Sequence, residues 1–246
     1  MRIAIISDVH GNLPALEAVL RDIDEFQADQ IYCLGDLTDA APWHNEVIEL
    51  IRQRRIPTIM GNHDERIAFD LPVIPLSKHN EEEREARIKA INFTKNTIAE
   101  SNRQFLTGLP KMIRLDFGPV KILLAHGSPR FNDEYIYADH DEHDLIHLLK
   151  DQQADILIVG HTHLSYVRKL ENEEKTVINT GSVGRTKEPD AMAAYLRICI
   201  APDQRGIKLK DIETSIRKVA YPVAETIEAI RKSEIPDFYA DFLVKK

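Results

Sequence analysis

The 246-residue sequence predicts an α/β fold in which two β-sheets pack together with helices on their outer sides. Three observations predict it. Short apolar runs alternate with segments of helical periodicity up to Met60, the second half is rich in short strands separated by polar turns, and aspartates and histidines stand directly after the apolar runs.

The elements follow in order. Arg2–Ile6 is an apolar run fit for a buried strand, and Leu13–Phe26 carries apolar residues at helical spacing. Gln30–Leu34 reads as strand, Asn45–Arg54 as helix and Pro57–Met60 as a third strand, a rhythm that implies a parallel sheet with right-handed crossovers. From Arg66 to Arg87 the pattern is broken by Pro72, Pro75 and the Glu81-Glu82-Glu83 run, which predicts a long loop leading into a helix over Ala86–Glu100. Asp116-Phe117-Gly118-Pro119 marks a tight turn between strands at Met112–Leu115 and Lys121–Ala125. Leu145–Leu149 belongs to an amphipathic helix. Ile156–Val159, Tyr166–Leu170, Thr176–Asn179, Ala193–Ile200 and Ile207–Ile212 read as strands, and Val223–Lys232 and Asp237–Val244 as two short helices. No repeat or linker interrupts this, so one domain is expected over 1–246, with helices at 222–244 packing on or beside the core.

Composition narrows the function. Hydrophobic residues make up 43% and charged residues 29%, an ordinary globular balance. No run approaches the roughly 18 apolar residues of a membrane-spanning helix. The apolar stretch at Ile3–Ile6 is too short for a signal segment, and Asp8 ends it. Cys33 and Cys199 lie within apolar strands and read as small buried hydrophobes, which fits a reducing cytoplasm. A net charge of −8 argues against a general nucleic-acid binder. It leaves a phosphorylated substrate open, because bound divalent cations invert the charge of a carboxylate site.

The chemistry lies at the strand ends. Asp8 and His10 follow the first apolar run; Asp36 and Asp39 follow the second, behind Gly35; Asn62, His63 and Asp64 follow the third, behind Gly61. His126 follows Lys121–Ala125, and His161 and His163 follow Ile156–Val159, behind Gly160. Each of these alone reads as a helix cap or a turn former. Five successive strand ends bearing the same ligand chemistry point instead to a metal site, since ligands gather where such loops converge. Oxygen and imidazole donors without thiolate suit Mn, Fe, Zn, Ni or Co.

The set Asp8-x-His10, Gly35-Asp36-x-x-Asp39, Gly61-Asn62-His63-Asp64, His126 and Gly160-His161-x-His163 resembles the calcineurin-like metallophosphoesterase superfamily. Asp8–Gly11, Ala125–Arg130 and Asn179–Gly184 are similar to its single-domain bacterial and archaeal branch, and the resemblance runs from Met1 to about Ile200. It implies a four-layer α/β/β/α sandwich with a dinuclear metal site at the sheet edges. One divalent transition metal ion would be held by Asp8, His10, Asp36 and His163, and the other by Asp36, Asn62, His126 and His161, with Asp36 bridging. It also implies hydrolysis of a phosphodiester or nucleotide-type phosphate bond by in-line attack of a metal-bridging hydroxide. His63 matches the histidine that contacts substrate and protonates the leaving oxygen, and Asp64 would orient that imidazole unless it only caps the following helix.

The remaining candidates have two readings each. Asp39 contacts substrate, positions a ligand, or merely forms a turn. Ala40–Glu46 departs from the glycine-rich form of this loop, and Trp43 and His44 either stack on a base or staple the next helix. Arg130 and Arg185 follow Gly-containing turns and would meet a phosphate or form surface ion pairs. His140, His143 and His147 sit at the acidic start of a surface helix, a pattern of solvation more than of metal binding. The expected partner is a small phosphorylated substrate, a nucleotide among the options, with no membrane or nucleic acid. Dinucleoside polyphosphates and phosphoproteins are alternative substrates. A catalytically inert scaffold is disfavoured, because every presumed ligand position carries a competent side chain.

Overall fold

Alternation along the first strand, β1 (Arg2–Ile6), sends its apolar residues in two directions. Ala4 and Ile6 join one hydrophobic cluster, and Ile3 and Ile5 join another. The computed structural model describes residues 1–74, 80–170, 175–201 and 207–244, and these two directions become its layers.

Helix α1 (Leu13–Phe26) begins where Asn12 accepts a hydrogen bond from the Ala15 amide at 3.2 Å and Pro14 opens the first turn. It ends at Gln27, which takes a left-handed conformation. Strand β2 (Gln30–Cys33) then pairs parallel to β1, and α2 (His44–Gln53) follows. Leu16, Val19 and Ile23 of α1 and Val47, Ile48 and Ile51 of α2 cover the outer side of β1.

The chain continues through α3 (Asn62–Ala68), α4 (Glu81–Thr97) and α5 (Glu100–Thr107) into the hairpin of β3 (Met112–Phe117) and β4 (Val120–Ala125). After α6 (Glu142–Asp151) come β5 (Ile156–Val159), β6 (Tyr166–Leu170), β7 (Lys175–Asn179), β8 (Ala193–Ile200) and β9 (Ile212–Val219). The last elements are α7 (Val223–Lys232) and α8 (Phe238–Val244).

One sheet has four strands in the order β2-β1-β8-β9, and the other has five in the order β3-β4-β5-β7-β6. Ile3, Ile5, Leu196 and Ile198 of the first face Ile122, Leu124, Ile158 and Ile178 of the second in a shared core. Leu145, Leu148 and Leu149 of α6 cover the far side of the second sheet. The layers therefore run helix, sheet, sheet, helix. The carboxyl ends of β1, β2, β4 and β5 open toward one edge, because β1 and β2 are parallel, as are β4 and β5.

The structure departs from the sequence-based expectation in four places. The first sheet is mixed, since β1 has β2 parallel on one side and β8 antiparallel on the other. Residues 57–60 make only an isolated bridge from Thr58 to Cys33, because Pro57 has no amide to donate and the chain turns at Gly61. The expected loop from Arg66 holds the second half of α3 and the start of α4. Asn80 begins α4 with a reciprocal capping box, accepting from the Glu83 amide at 2.8 Å while Glu83 accepts from the Asn80 amide at 2.9 Å. The glutamate run thus completes a helix N-terminus. Finally, the strand expected over Ile207–Ile212 lies at Ile212–Val219, where half-buried Ile212, Thr214 and Ile216 alternate against β8.

The C-terminal helices lie beside the site loops. Ile230 of α7 and Tyr239, Ala240 and Leu243 of α8 pack with Ala86 and Ala90 of α4 onto Ala40 and Ala41, just after β2. No helix of the described residues is long and apolar enough to cross a membrane. Cys33 and Cys199 are free thiols on β2 and β8, two strands separated by β1, with Cys33 fully buried and Cys199 partly so.

Candidate metal centre and active site

Asp8, His10, Asp36, Asp39, His161 and His163 all have positive φ, between 51° and 69°. Such left-handed conformations cost about 1 kcal/mol or more for a residue with a side chain, and aspartate and histidine adopt them more readily than branched residues. Each strand end therefore turns sharply and throws its polar side chain back toward the same point. The packing there leaves no room for extra atoms. A Cβ on Gly61 would overlap the Asp36 carboxylate, and one on Gly160 would overlap the Ser7 hydroxyl and the Asp8 carboxylate.

Backbone carbonyls set the histidine tautomers. His10 Nδ1 donates to Thr38 O at 3.0 Å, His126 Nδ1 to Leu34 O at 2.8 Å and His163 Nδ1 to Arg185 O at 2.6 Å. Each Nε2 then points inward with a lone pair. His10 Nε2 and His163 Nε2 lie 3.1 Å apart, and His163 Nε2 is 3.1 Å from Asp8 Oδ1. His126 Nε2 lies 3.3 Å from Asp36 Oδ2 and 3.2 Å from Asn62 Oδ1. The second oxygen of each carboxylate is already in use. Asp8 Oδ2 accepts from Ser7 Oγ at 2.6 Å and the His161 amide at 3.0 Å, and Asp36 Oδ1 accepts from the His63 amide at 2.8 Å.

The electrostatics show how tightly these groups are coupled. Burial pushes the His161 imidazole down to about 3, with the charge on His126 adding to the effect. Burial likewise lowers His10 and His163. Burial would also lower His126, but the adjacent Asp36 carboxylate outweighs it and raises the group to about 10. Burial would raise Asp36 and Asp8; instead His126 and His63 hold Asp36 low, and His163 holds Asp8 low.

Two trios of donor atoms emerge, Asp8–His10–His163 and Asp36–His126–His161, with a third of His10, Asp36 and His63 between them. Asp8 Oδ1, Asp36 Oδ2 and His161 Nε2 are buried with no hydrogen-bond partner. Buried orphan acceptors cost on the order of 1–3 kcal/mol each, and two facing lone pairs on His10 and His163 repel. A divalent cation satisfies all of them, and carbonyl-anchored histidines are the usual support for metal ligation. The donor set fits the expected group.

His63 stands on α3 at the rim of this cluster. Its Nδ1 donates to Asp39 Oδ2 at 2.6 Å, and its ring meets His10 edge-on at a centroid distance of 5.0 Å. Asp64, expected to orient this imidazole, does not reach it. Asp64 points back into the protein and accepts from the Leu37 amide at 2.9 Å, the Gly61 amide at 3.1 Å and Thr38 Oγ1 at 3.3 Å. It ties the start of α3 to the loop after β2. The physical reason is helix direction: at adjacent helical positions the two side chains point about 100° apart, so only one faces the site.

Arg130 is also placed differently from the phosphate contact considered for it. Its guanidinium is held by Glu134 at 2.6 Å and Asp144 at 2.6 Å, a surface network. His140 joins through Asp144 at 2.7 Å, and His143 and His147 are exposed on α6, outside every donor cluster among the described residues. His44 is buried against Phe93 and Thr97 of α4, so it serves packing. Two contributors escaped the sequence reading. Ser7 orients Asp8, and its signal was a polar residue closing an apolar run. Tyr135 lies over His161 at 4.2 Å between ring centroids, and nothing in its local pattern marks it.

Comparisons with known proteins agree with this geometry. Residues 1–199 match the family model described as the calcineurin-like phosphoesterase superfamily domain. The chain is 30% identical to the uncharacterized protein MJ0912 of Methanocaldococcus jannaschii, over 98% of this chain and 96% of the relative. Among solved structures it is similar to a metallophosphoesterase from Sphaerobacter thermophilus, at 28% identity and a TM-score of 0.75, covering 100% of this chain and 98% of the other. It also shares its fold with the hypothetical protein PH1004 of Pyrococcus horikoshii, at 20% identity and a TM-score of 0.81, covering 98% and 97%. With ligand-bearing strand ends, sandwich and family model in agreement, the chain belongs to the calcineurin-like phosphoesterase superfamily.

Proposed function

We propose that the protein is a dinuclear phosphodiesterase acting on a small phosphorylated substrate. The observation that carries this reading is the pair of donor trios with unsatisfied inward-facing atoms. Asp8, His10 and His163 would hold one divalent ion; Asn62, His126 and His161 would hold the other, and Asp36 stands between them. Ions in these positions supply Lewis-acid activation of water and neutralise charge on the phosphoryl oxygens.

The chain's own residues supply the rest. His63 hands a proton from Nε2 to the leaving oxygen, and the Asp39 carboxylate on Nδ1 holds the ring and stabilises its charged form. Backbone carbonyls of Leu34, Thr38 and Arg185 keep the ligand imidazoles in one tautomer. Helices α7 and α8 close one flank. The space left between His10, Ala40, Gly184, Arg185 and Tyr239 is about 10 Å³, room for about one water. That closed flank favours a small substrate over a folded protein.

The test strips the protein of metal and restores Mn, Fe, Ni, Co, Zn or Mg. Each form is then assayed on phosphomonoesters, phosphodiesters and dinucleoside polyphosphates. Metal-restored turnover with diester preference is expected. Two equivalents of bound metal without turnover on any substrate would overturn the enzymatic reading and favour a binding scaffold.

A further inference from the structure

Three of the histidines that face the metal cluster rest on backbone carbonyls, and the three carbonyls are held in different ways. His126 Nδ1 donates to Leu34 O, and Leu34 is buried in the core between the two sheets. His10 Nδ1 donates to Thr38 O, two residues before Ala40. His163 Nδ1 donates to Arg185 O at 2.6 Å, in the segment between β7 and β8. The side chain of Arg185 reaches α8.

The backbone just before Arg185 is well fixed. Ser182 Oγ donates to Asp8 O at 2.8 Å and accepts from the Arg185 amide at 2.8 Å, and the Gly184 amide donates to Asp8 O at 3.0 Å. Asn12 Nδ2 donates to Gly184 O at 2.9 Å, while Asn12 Oδ1 accepts from Thr226 Oγ1 of α7 at 2.9 Å. After Arg185 the Lys187 amide returns a bond to His163 O at 3.2 Å. What remains to be held is Arg185 itself.

Two aromatic rings of α8 do this. The Arg185 guanidinium lies 5.1 Å from the Tyr239 ring centroid and 4.9 Å from that of Phe242, within cation–π range of both. Its Nε is buried without a hydrogen-bond partner, so ring faces stand where polar partners would. The same helix packs Tyr239, Ala240 and Leu243 against Ala40 and Ala41. Helix α8 thus touches segments on both sides of the Asp8–His10–His163 trio. It lies outside residues 1–199, the part of the chain that matches the family model.

We propose that Tyr239 and Phe242 are positioning residues for one of the two metal sites. By seating Arg185 they hold the carbonyl that orients His163. The C-terminal helix thereby sets the affinity of the ion at Asp8, His10 and His163, and acts little on the ion at Asp36, His126 and His161. This rests on the metal-dependent reading above.

The test has two readouts, neither of them turnover. In the metal-free full-length protein, imidazole-detected NMR follows solvent exchange of the histidine Nδ1–H groups. Tyr239→Leu/Phe242→Leu should speed exchange at His163 about three- to tenfold, the scale of a partly desolvated cation–π contact, with His126 unchanged. Arg185→Met should do the same, whereas Tyr239→Phe, which keeps the ring, should match the wild type.

Manganese titration then compares two single-site backgrounds. With His161→Ala, which leaves the first trio, the leucine pair should weaken binding about tenfold. With His10→Ala, which leaves the second trio, binding should change less than twofold. Equal losses in both backgrounds would reduce α8 to general structural support and overturn the proposal, as would unchanged exchange at His163. A wild-type protein that takes up no metal would overturn the enzymatic reading, while the exchange at His163 would still decide the role of the rings. If the leucine pair does not fold, Arg185→Met carries both readouts, because it leaves the apolar contacts of α8 in place.

Discussion

His63 Nδ1 donates to Asp39 Oδ2 at 2.6 Å, across 24 residues of chain. That contact joins the loop after β2 to the first turn of α3, and it assigns the partner of the candidate proton donor.

His63→Ala should lower kcat by about 10²–10⁴-fold with metal content unchanged, the usual scale for a lost general acid. Asp39→Asn should lower kcat by about 10–100-fold, since it leaves the imidazole unanchored. The double variant should be no slower than His63→Ala alone, because both changes act on one group. Multiplicative losses would show that Asp39 works elsewhere. Asp64→Asn serves as the contrast: with hydrogen bonds to Leu37, Thr38 and Gly61, it should chiefly lower Tm.

Asp36 offers Oδ2 to the interior between His126 at 3.3 Å and His10 at 3.7 Å. Asp36→Asn should therefore reduce metal stoichiometry below that of any other single ligand variant, as read by elemental analysis. Full metal content in this variant would remove Asp36 from the shared position. His143→Ala and His147→Ala should retain every equivalent, since both side chains are exposed on α6.

Gly160→Ala tests how closely the backbone presses on the ligands. The added methyl meets Asp8 Oδ2 at 2.5 Å and also crowds Ser7. Overpacking of this kind costs about 1–3 kcal/mol and should also weaken metal affinity about tenfold or more. Gly108→Ala is the control, because its nearest neighbour is the Phe105 carbonyl oxygen at 3.6 Å. Equal metal affinity in the two variants would show that the site tolerates movement of Asp8.

Asp22 supplies a pH-dependent term remote from the metal ligands. Burial would raise its carboxyl, but hydrogen bonds from Arg217 at 2.7 Å and Tyr195 at 2.6 Å, with the charge of Arg197, hold it below the ordinary value of 3.8. A depressed folded-state pKa gives stability that is present above the unfolded value and lost as pH falls through the folded one. Asp22→Asn should thus destabilise the protein by about 1–3 kcal/mol at pH 7 in urea unfolding. The difference from wild type should shrink as pH drops below 3.8. A gap that is constant from pH 7 downward would mean the cost is one of shape and not of charge.

Much of the architecture was legible locally. Ile3–Ile6 and Ile156–Val159 announced buried strands by continuous apolar character, and the period of Leu13–Phe26 announced a helix with one buried face. Val223–Lys232 was legible for the same reason. Residues 57–60 misled because an apolar run reports burial, whereas a strand also needs amides to pair, and Pro57 lacks one. The glutamate run from Glu81 reads in sequence as a solvated helix start, and it is one; only the boundary moved, from Ala86 to Glu81, because the Asn80 cap lets the negative charges face the positive end of the helix dipole.

The sequence by itself determined which residues have the chemistry: Asp8, His10, Asp36, Asn62, His63, His126, His161 and His163 stand where strands or short runs end, and their types and order are local facts. Only the tertiary structure decided how they are shared out. It gave His63 to Asp39 instead of Asp64, and turned Arg130 away to Glu134 and Asp144. The reason is physical. Periodicity fixes which face of an element is buried, but the partner of a polar side chain depends on left-handed turns and helix phases that place residues tens of positions apart within 3 Å of one another.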